Sequence, residues 1–403
     1  MSQNSDFIPY GQHLIDEADI ASVVSVLRSG ALTNGPVTAK FESALSEITG
    51  AQEAVACSSG TAALHLAISA LGVTSGDCVI VPALTFLASA NSVRYVGADV
   101  IFADVNESTG LMEPRHFQDA LNKASPGSVK AVIAVHMNGQ CCDMPGIAEI
   151  ARSHEIAIVE DACHALGGYY PKPDDKLAVG ACAYSKASCF SFHPVKTVAM
   201  GEGGAITSND SVFSAAMRKL RNHGMERSSE NMKMSEFAVS PEGLANPWYY
   251  EMAEIGWNYR ASDIHCALGL SQFTRLESSV RRRANLVALY DSALRSLSPI
   301  VRPVSRVGGR VAWHLYTVQI DFGRIGQSRA SVMNALEKVG IGTQVHYFPV
   351  HLQPYYQNLY GRQHLPGAEK YYSFCLTLPL FPAMADADVE RIVAELGRII
   401  EMR

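Results

Sequence analysis

Apolar positions along this chain follow two alternating rhythms. Short apolar runs stand one after another, separated by segments in which apolar residues recur every three or four positions. Ala54 to Cys57 precedes a helical pattern from Thr61 to Leu71, Cys78 to Pro82 precedes Phe86 to Val96, and Val100 to Val105 precedes a helix near His116 to Lys123. Val129 to His136, a helix near Gly146 to His154, and Ile156 to Asp161 continue the series. Short buried strands alternating with helices of about 10 to 15 residues predict βαβ units around a mostly parallel sheet. Upstream, helical patterns cover Glu17 to Leu27 and Val37 to Thr49, and the turn formers from Ser29 to Pro36 make an ordered loop near the surface.

The rhythm changes after Asp161. Ala187 to Phe192 reads as a short buried strand that Pro194 ends, and the glycines at 201, 203 and 204 let the chain fold back into a second strand-like run from Ala205 to Ser208. A helix follows from Asn209 to Arg221, then a polar, methionine-bearing stretch, Met225 to Glu242, with the look of a mobile insertion. The periodic segment from Ile264 to Leu297 is long for a globular helix and predicts a bridge into a second domain. That domain holds an expected strand from Trp313 to Ile320, a helix from Arg329 to Val339, a strand from Gly342 to Tyr347 and a terminal helix from Asp386 onward. At 403 residues the chain exceeds the size at which one core keeps growing. The expected α/β architecture is a large domain over residues 1–262 and a bridging helix with a smaller C-terminal α+β domain over residues 263–403.

Composition narrows the function classes. A hydrophobic content of 48% with 18% charged residues is globular, and a formal charge of -6 offers no footprint for nucleic acid or an anionic membrane. The basic run Arg281-Arg282-Arg283 lies in a helical pattern and reads as a solvated face. No apolar run approaches the roughly 20 residues that cross a bilayer, and Met1 to Tyr10 lacks a charged-then-apolar leader. A soluble, cytoplasmic protein is expected. Nine cysteines, an odd number without regular spacing, read as reduced thiols packed inside, and Cys141-Cys142 is a vicinal pair rather than a C-x-x-C motif.

Three strand ends carry candidate chemistry. Cys57-Ser58-Ser59-Gly60-Thr61 stands where a strand enters a helix, so unpaired N–H groups and hydroxyls make a phosphate site, although an ordinary helix cap uses the same residues. Asp161 ends a strand at the edge of the sheet where ligands bind, and a pyridinium N–H would give its carboxylate a partner. His164 stands where it would steady a neighbouring ring substituent; a capping Asp161 and a core histidine are the plainer alternatives. Lys196 sits at a turn beside apolar neighbours. Partial desolvation there lowers an amine's pKa and suits Schiff-base chemistry, whereas a surface loop lysine would stay solvated. Phe86 opens a helix at the same kind of edge and offers a ring to stack on a planar cofactor or to pack in the core. No G-x-G-x-x-G follows the first strand and no G-x-x-x-x-G-K-[ST] occurs, so dinucleotide and nucleoside-triphosphate readings lose their usual support. Together an anion cradle, an edge carboxylate and a desolvated lysine are the set that pyridoxal 5′-phosphate requires. His346 and His351 flank Pro349 on an extended segment, a spacing that suits neither a helical pair of metal ligands nor a zinc knuckle, so no metal is expected.

The sequence resembles the DegT/DnrJ/EryC1/StrS sugar aminotransferases, which have the aspartate-aminotransferase type fold (PLP fold type I). Matching segments run from Ser58 to Leu64, Asp161 to Gly167, Phe190 to Gly204, Gly256 to Arg260 and Gln344 to Tyr347, in order across nearly the whole chain. The resemblance implies that Lys196 binds the cofactor's aldehyde, Asp161 pairs with the pyridine nitrogen, and Gly60, Thr61 and Ser191 hold the phosphate. Phe86 would stack on the ring and His164 would lie by its 3-hydroxyl. Asn258 would reach the phosphate of the neighbouring subunit, implying a homodimer with shared active sites. Pro247 to Glu251 and His346 to Gln357 look most like the pseudaminic-acid branch, which aminates C4 of UDP-2-acetamido-2,6-dideoxy-β-L-arabino-hex-4-ulose with L-glutamate as donor, leaving 2-oxoglutarate. By the same similarity Tyr10, Gly30, Ala31, Leu32, Thr33, Gly60, Ser191, Asn258, Thr343, Gln344, Val345 and His346 would line the pocket. The alternatives are an aminotransferase for another nucleotide-linked keto sugar or a cyclitol, and a pyridoxal-phosphate-binding regulator without turnover.

Overall fold

The computed structural model describes residues 6–171, 176–228 and 231–401; residues 1–5 of the polar N-terminal stretch and 229–230 of the expected insertion lie outside the described residues. Seven strands form the main sheet: β1 (Glu53–Cys57), β2 (Cys78–Pro82), β3 (Asp99–Ala103), β4 (Val129–Val135), β5 (Ala157–Asp161), β6 (Ala187–Ser191) and β7 (Gly204–Ser208). Their spatial order is β1-β7-β6-β5-β4-β2-β3. Neighbours from β3 through β6 pair in parallel, and β7 alone runs antiparallel, against both β6 and β1.

Side chains of a strand alternate between faces, so a sheet covered on both sides feeds two cores. In β4, Val132 and Ala134 enter one cluster, with Phe117, Met137 and Ile147, while Ala131 and Ile133 enter the other, with Leu64, Leu84 and Phe102. The helix Gly60–Ala70 is buried along most of its length, and Ser59 caps it by accepting the Ala62 N–H at 3.1 Å. All nine cysteines are free thiols and most are buried. Among the described residues no helix is long and apolar enough to cross a membrane.

C-terminal to this sheet, a two-strand ribbon joins β8 (Met225–Glu226) to β9 (Glu251–Met252), with a short helix, Ser235–Ala238, between them. A three-stranded antiparallel sheet of β10 (Val301–Pro303), β11 (Tyr316–Ile320) and β12 (Cys375–Leu378) follows. A third core packs this sheet against the helices Leu276–Ala293, Arg329–Lys338 and Asp386–Glu401. Ile8 belongs to that core too: its N–H donates to the Gly340 carbonyl and its carbonyl accepts the Gly342 N–H, each at 2.8 Å.

Four expectations are corrected. Ile264 to Leu297 is not one helix: Asp263–Phe273 ends at Thr274, and a new helix starts at Leu276, with a 3-10 turn from Leu294. Arg275 at the break is held by the carboxylates of Asp16 and Asp19. Gly342 to Tyr347 forms no strand beyond one bridge, Gln344 to Thr377, because Cys375–Leu378 occupies the place beside β11. The strand expected from Trp313 starts only at Tyr316, and β10 and β12 are too short to show a period. The triple arginine is not a solvated face, since Arg283 is fully buried and donates to the carbonyls of His314 at 3.3 Å and Leu380 at 2.8 Å.

Candidate active site

A cavity of about 580 Å³ opens beside the ends of β1, β5 and β6, within the usual range for small-molecule sites. Gly60, Thr61, Phe86, Asp161, His164, Ser191 and Lys196 line it, as do Tyr10, Gln344, Val345 and His346. Gly30 to Thr33, Asn258 and Thr343 do not line the cavity of this chain. Thr33 instead bridges to Ser262 and Asn258 bridges to Asn222, on an exposed edge.

One wall is an anion cradle. Ser59 and the first turn of helix Gly60–Ala70 face Ser191 at the end of β6, close enough that a Cβ on residue 60 would lie 2.7 Å from the Ser191 Cβ and 3.3 Å from the Cys163 Sγ. The Ser59 side chain and carbonyl take the N–H groups of Ala62 and Ala63, leaving those of Gly60 and Thr61 without an acceptor among the described residues. Free N–H groups at the positive end of a helix suit a phosphate.

Asp161 closes the opposite end. It is 6% exposed; its Oδ2 accepts the Ser89 hydroxyl at 2.7 Å and its Oδ1 accepts the Cys163 N–H at 3.3 Å. Its neighbour Glu160 points to the other face of β5, where His136 at 2.7 Å, Tyr170 at 2.6 Å and Ser188 at 3.1 Å donate to it. The Cys142 N–H is accepted by His136 Nδ1 at 3.2 Å, so Nε2 carries the proton given to Glu160. Glu160 thus fixes the strand end while Asp161 stays available to a ligand.

Lys196 is half-buried, its amine turned into the cavity, with no carboxylate in contact among the described residues. Burial pulls its amine below the ordinary lysine range, against the opposing pull of Cys163 and Asp161. Its Nζ lies 3.4 Å from His314 Nε2, and the His314 and His164 rings are 4.5 Å apart. His164 Nε2 meets the Tyr347 hydroxyl at 3.1 Å, and His346 Nδ1 meets Thr377 at 2.9 Å. Burial, then the Lys196 charge, holds His164 and His314 well below the usual histidine range, and His346 falls to about 3 for the same reasons. The imidazoles around the amine are therefore neutral hydrogen-bonding groups. His164 Nδ1 and His314 Nδ1 are buried without a partner, which fits a cavity built to receive further polar atoms.

These shifts set an acid limit on stability. Burial also brings His65 down to about 4, where its ring packs 4.2 Å from Trp257 and meets the Tyr259 hydroxyl. Below the unfolded value of about 6.5 the unfolded chain takes up protons that the folded rings refuse, so stability present above that pH is lost as pH falls. Each of His65 and His346 should cost about 2 kcal/mol between pH 6.5 and pH 5. Unfolding midpoints of the cofactor-free protein should fall over that interval, and less steeply in His65→Gln; an unchanged slope in the variant would refute the assignment to His65.

His314 and Tyr347 were not singled out from the sequence. His314 lies just before β11, far along the chain from any strand-to-helix turn, and only the third core brings it to Lys196. Tyr347 stands beside the quoted His346; its ring lies 6.0 Å from Phe86, and its burial raises its hydroxyl pKa.

Comparison with known proteins gives this geometry a context. A profile of the DegT/DnrJ/EryC1/StrS aminotransferase family matches residues 13–397. The spore coat polysaccharide biosynthesis protein SpsC of Bacillus subtilis is 36% identical over 404 residues, covering 100% of this chain and 99% of its own. Among solved structures, Helicobacter pylori PseC, an aminotransferase involved in the biosynthesis of pseudoaminic acid, superposes with TM-score 0.87 and 27% identity, covering 98% of this chain and 100% of its own. Spr1654 from Streptococcus pneumoniae superposes in its PLP form with TM-score 0.84 and 30% identity, and in its PMP form with TM-score 0.86 and 29% identity; each covers 98% of this chain and 99% of its own.

Proposed function

Because the chain belongs to the DegT/DnrJ/EryC1/StrS aminotransferase family, we propose that it moves an amino group from L-glutamate to C4 of a UDP-linked 4-keto-6-deoxy-N-acetylhexosamine, in pseudaminic acid biosynthesis. It is a sugar aminotransferase and its cofactor is pyridoxal phosphate; the particular sugar, nucleotide and pathway are the proposal. The full-length likeness to PseC, with TM-score 0.87, carries it.

Bound pyridoxal phosphate supplies an electron sink for breaking a bond at the amino-bearing carbon. The residues divide the remaining work. Gly60, Thr61 and Ser191 would hold the phosphate, Phe86 would cover the ring face, and His164 would lie by the 3-hydroxyl. Asp161 would accept the ring N–H and keep that nitrogen protonated, so the sink would stay effective. Lys196 Nζ, which burial holds below the ordinary lysine range, would accept the α-proton of the amino donor and later return a proton to the sugar's C4. Tyr10 and Gln344 to His346 form the wall nearest the sugar. Asn258, exposed on this chain, reaches the site of a second copy, as Gly30 to Thr33 and Thr343 complete the substrate contacts of the dimer.

The second reading, an aminotransferase for another nucleotide-linked keto sugar, draws on the 36% identity to SpsC, whose name refers to a spore coat polysaccharide. A panel of UDP-, GDP- and dTDP-linked keto sugars with L-glutamate separates the two. The proposed reading expects the highest kcat/KM, with 2-oxoglutarate released, for UDP-2-acetamido-2,6-dideoxy-β-L-arabino-hex-4-ulose. Faster amination of a GDP- or dTDP-linked sugar would replace it with the second.

A further inference from the structure

Behind the Asp161 carboxylate stand two hydroxyls that the transamination described above leaves unused. Ser89 Oγ lies 2.7 Å from Asp161 Oδ2, and Thr85 Oγ1 lies 2.7 Å from Ser89 Oγ. Ser89 and Thr85 are 0% and 1% exposed, so water does not complete either group. The direction of the chain follows from the donor count. An ionised carboxylate only accepts, so the single Ser89 proton goes to Asp161, and the proton between the two hydroxyls must come from Thr85. Both O–H dipoles therefore point toward Asp161, and each strengthens the other in a site of low dielectric.

The placement adds a second link. Thr85 and Ser89 flank Phe86, the N-cap of helix Leu87–Tyr95, and Ser89 sits in its first turn. The segment that presents the exposed Phe86 ring to the cavity is thereby hydrogen-bonded to the carboxylate.

We propose that Ser89 and Thr85 are positioning residues: a one-way hydroxyl relay that fixes the Asp161 carboxylate and thereby strengthens its hold on the proton of the cofactor's ring nitrogen. The proposal rests on the reading that Asp161 receives that nitrogen. Removal of the Ser89 hydroxyl takes away a bond made to the charged form, which weakens the anion's hold on the ring proton. Loss of Thr85's hydroxyl alone leaves Ser89 donating and removes only the reinforcement.

The test reconstitutes the cofactor-free protein with 15N-labelled pyridoxal phosphate and follows the ring-nitrogen chemical shift against pH, with the dissociation constant measured alongside. In Ser89→Ala the pH at which the ring proton is lost should fall by about one unit, a tenfold change in proton affinity, and cofactor binding should weaken. The isosteric Thr85→Val should shift the midpoint in the same direction by less, and Ser89→Thr, which keeps a hydroxyl, should restore it. Midpoints in Ser89→Ala and Thr85→Val equal to the unsubstituted protein's overturn the relay, because a merely structural role would alter affinity or stability without moving that titration. Asp161→Asn separates the two levels. A midpoint shifted by Asp161→Asn but not by Ser89→Ala defeats the relay alone, whereas one unmoved by Asp161→Asn defeats the assignment of Asp161 itself and the relay with it.

Discussion

Lys196→Ala should lower turnover in the glutamate half-reaction by at least about a thousandfold, within the span expected when a positioned acid–base group is lost. Burial holds the amine below the ordinary lysine range, which raises the fraction able to accept a proton. Lys196→Arg should fail nearly as badly, because a guanidinium stays protonated at any working pH and has no neutral form to offer. Both variants should still take up pyridoxal phosphate, since the phosphate cradle and Asp161 remain. The measurement is the rate of 2-oxoglutarate release, beside an equilibrium cofactor titration. Turnover within tenfold of the unsubstituted enzyme would remove Lys196 from its assigned part.

Asp161→Asn should act on binding as well as on rate. The amide keeps the shape and can still take the Ser89 hydroxyl, but it leaves a protonated ring nitrogen facing no negative charge in a site where residue 161 is 6% exposed. Breaking one side of a buried ion pair costs about 3–5 kcal/mol, so cofactor affinity should fall at least about a hundredfold. Titration of the cofactor-free variant measures it, and an unchanged dissociation constant would overturn the pairing.

The sequence made the parallel part of the fold readable because each βα unit carries both of its signals locally. Ala54 to Cys57 with the following helix, or Val129 to His136 with Gly146 to His154, shows a short apolar run and then a helical period within about 30 residues. The small sheet gave no such signal: Val301–Pro303 and Cys375–Leu378 are only three and four residues long, too short for alternation to register. β10 reaches β11 across a non-regular connection, Val301 pairing with Ile320, and β12 reaches it from more than 50 residues away, Tyr316 pairing with Leu378. The same separation divides the site. Gly60, Asp161, Ser191 and Lys196 stand at turns whose residue types advertise an anion cradle, a carboxylate and an amine, and all four line one cavity. His314 and Tyr347 carry no local mark of function, and reach Lys196 and His164 only through the packing of the C-terminal third. Arg283 misled the reading for a related reason. A charged triplet on a helix suggests solvent, but the backbone carbonyls of His314 and Leu380 give its guanidinium a dry place to bond.

The bonding of Ile8 and Tyr10 to the C-terminal third has a practical consequence. Ile8 is a plug of the third core, Tyr10 is a wall of the cavity, and the Tyr10 carbonyl accepts the Leu380 N–H at 3.1 Å. Ile8 and Tyr10 thus clasp the last third of the chain before the helix Glu17–Leu27 begins. A single proteolytic nick in the linker before Glu17 would leave every group around Lys196 covalently intact, yet free the clasp to drift away and unseal the sugar side of the pocket.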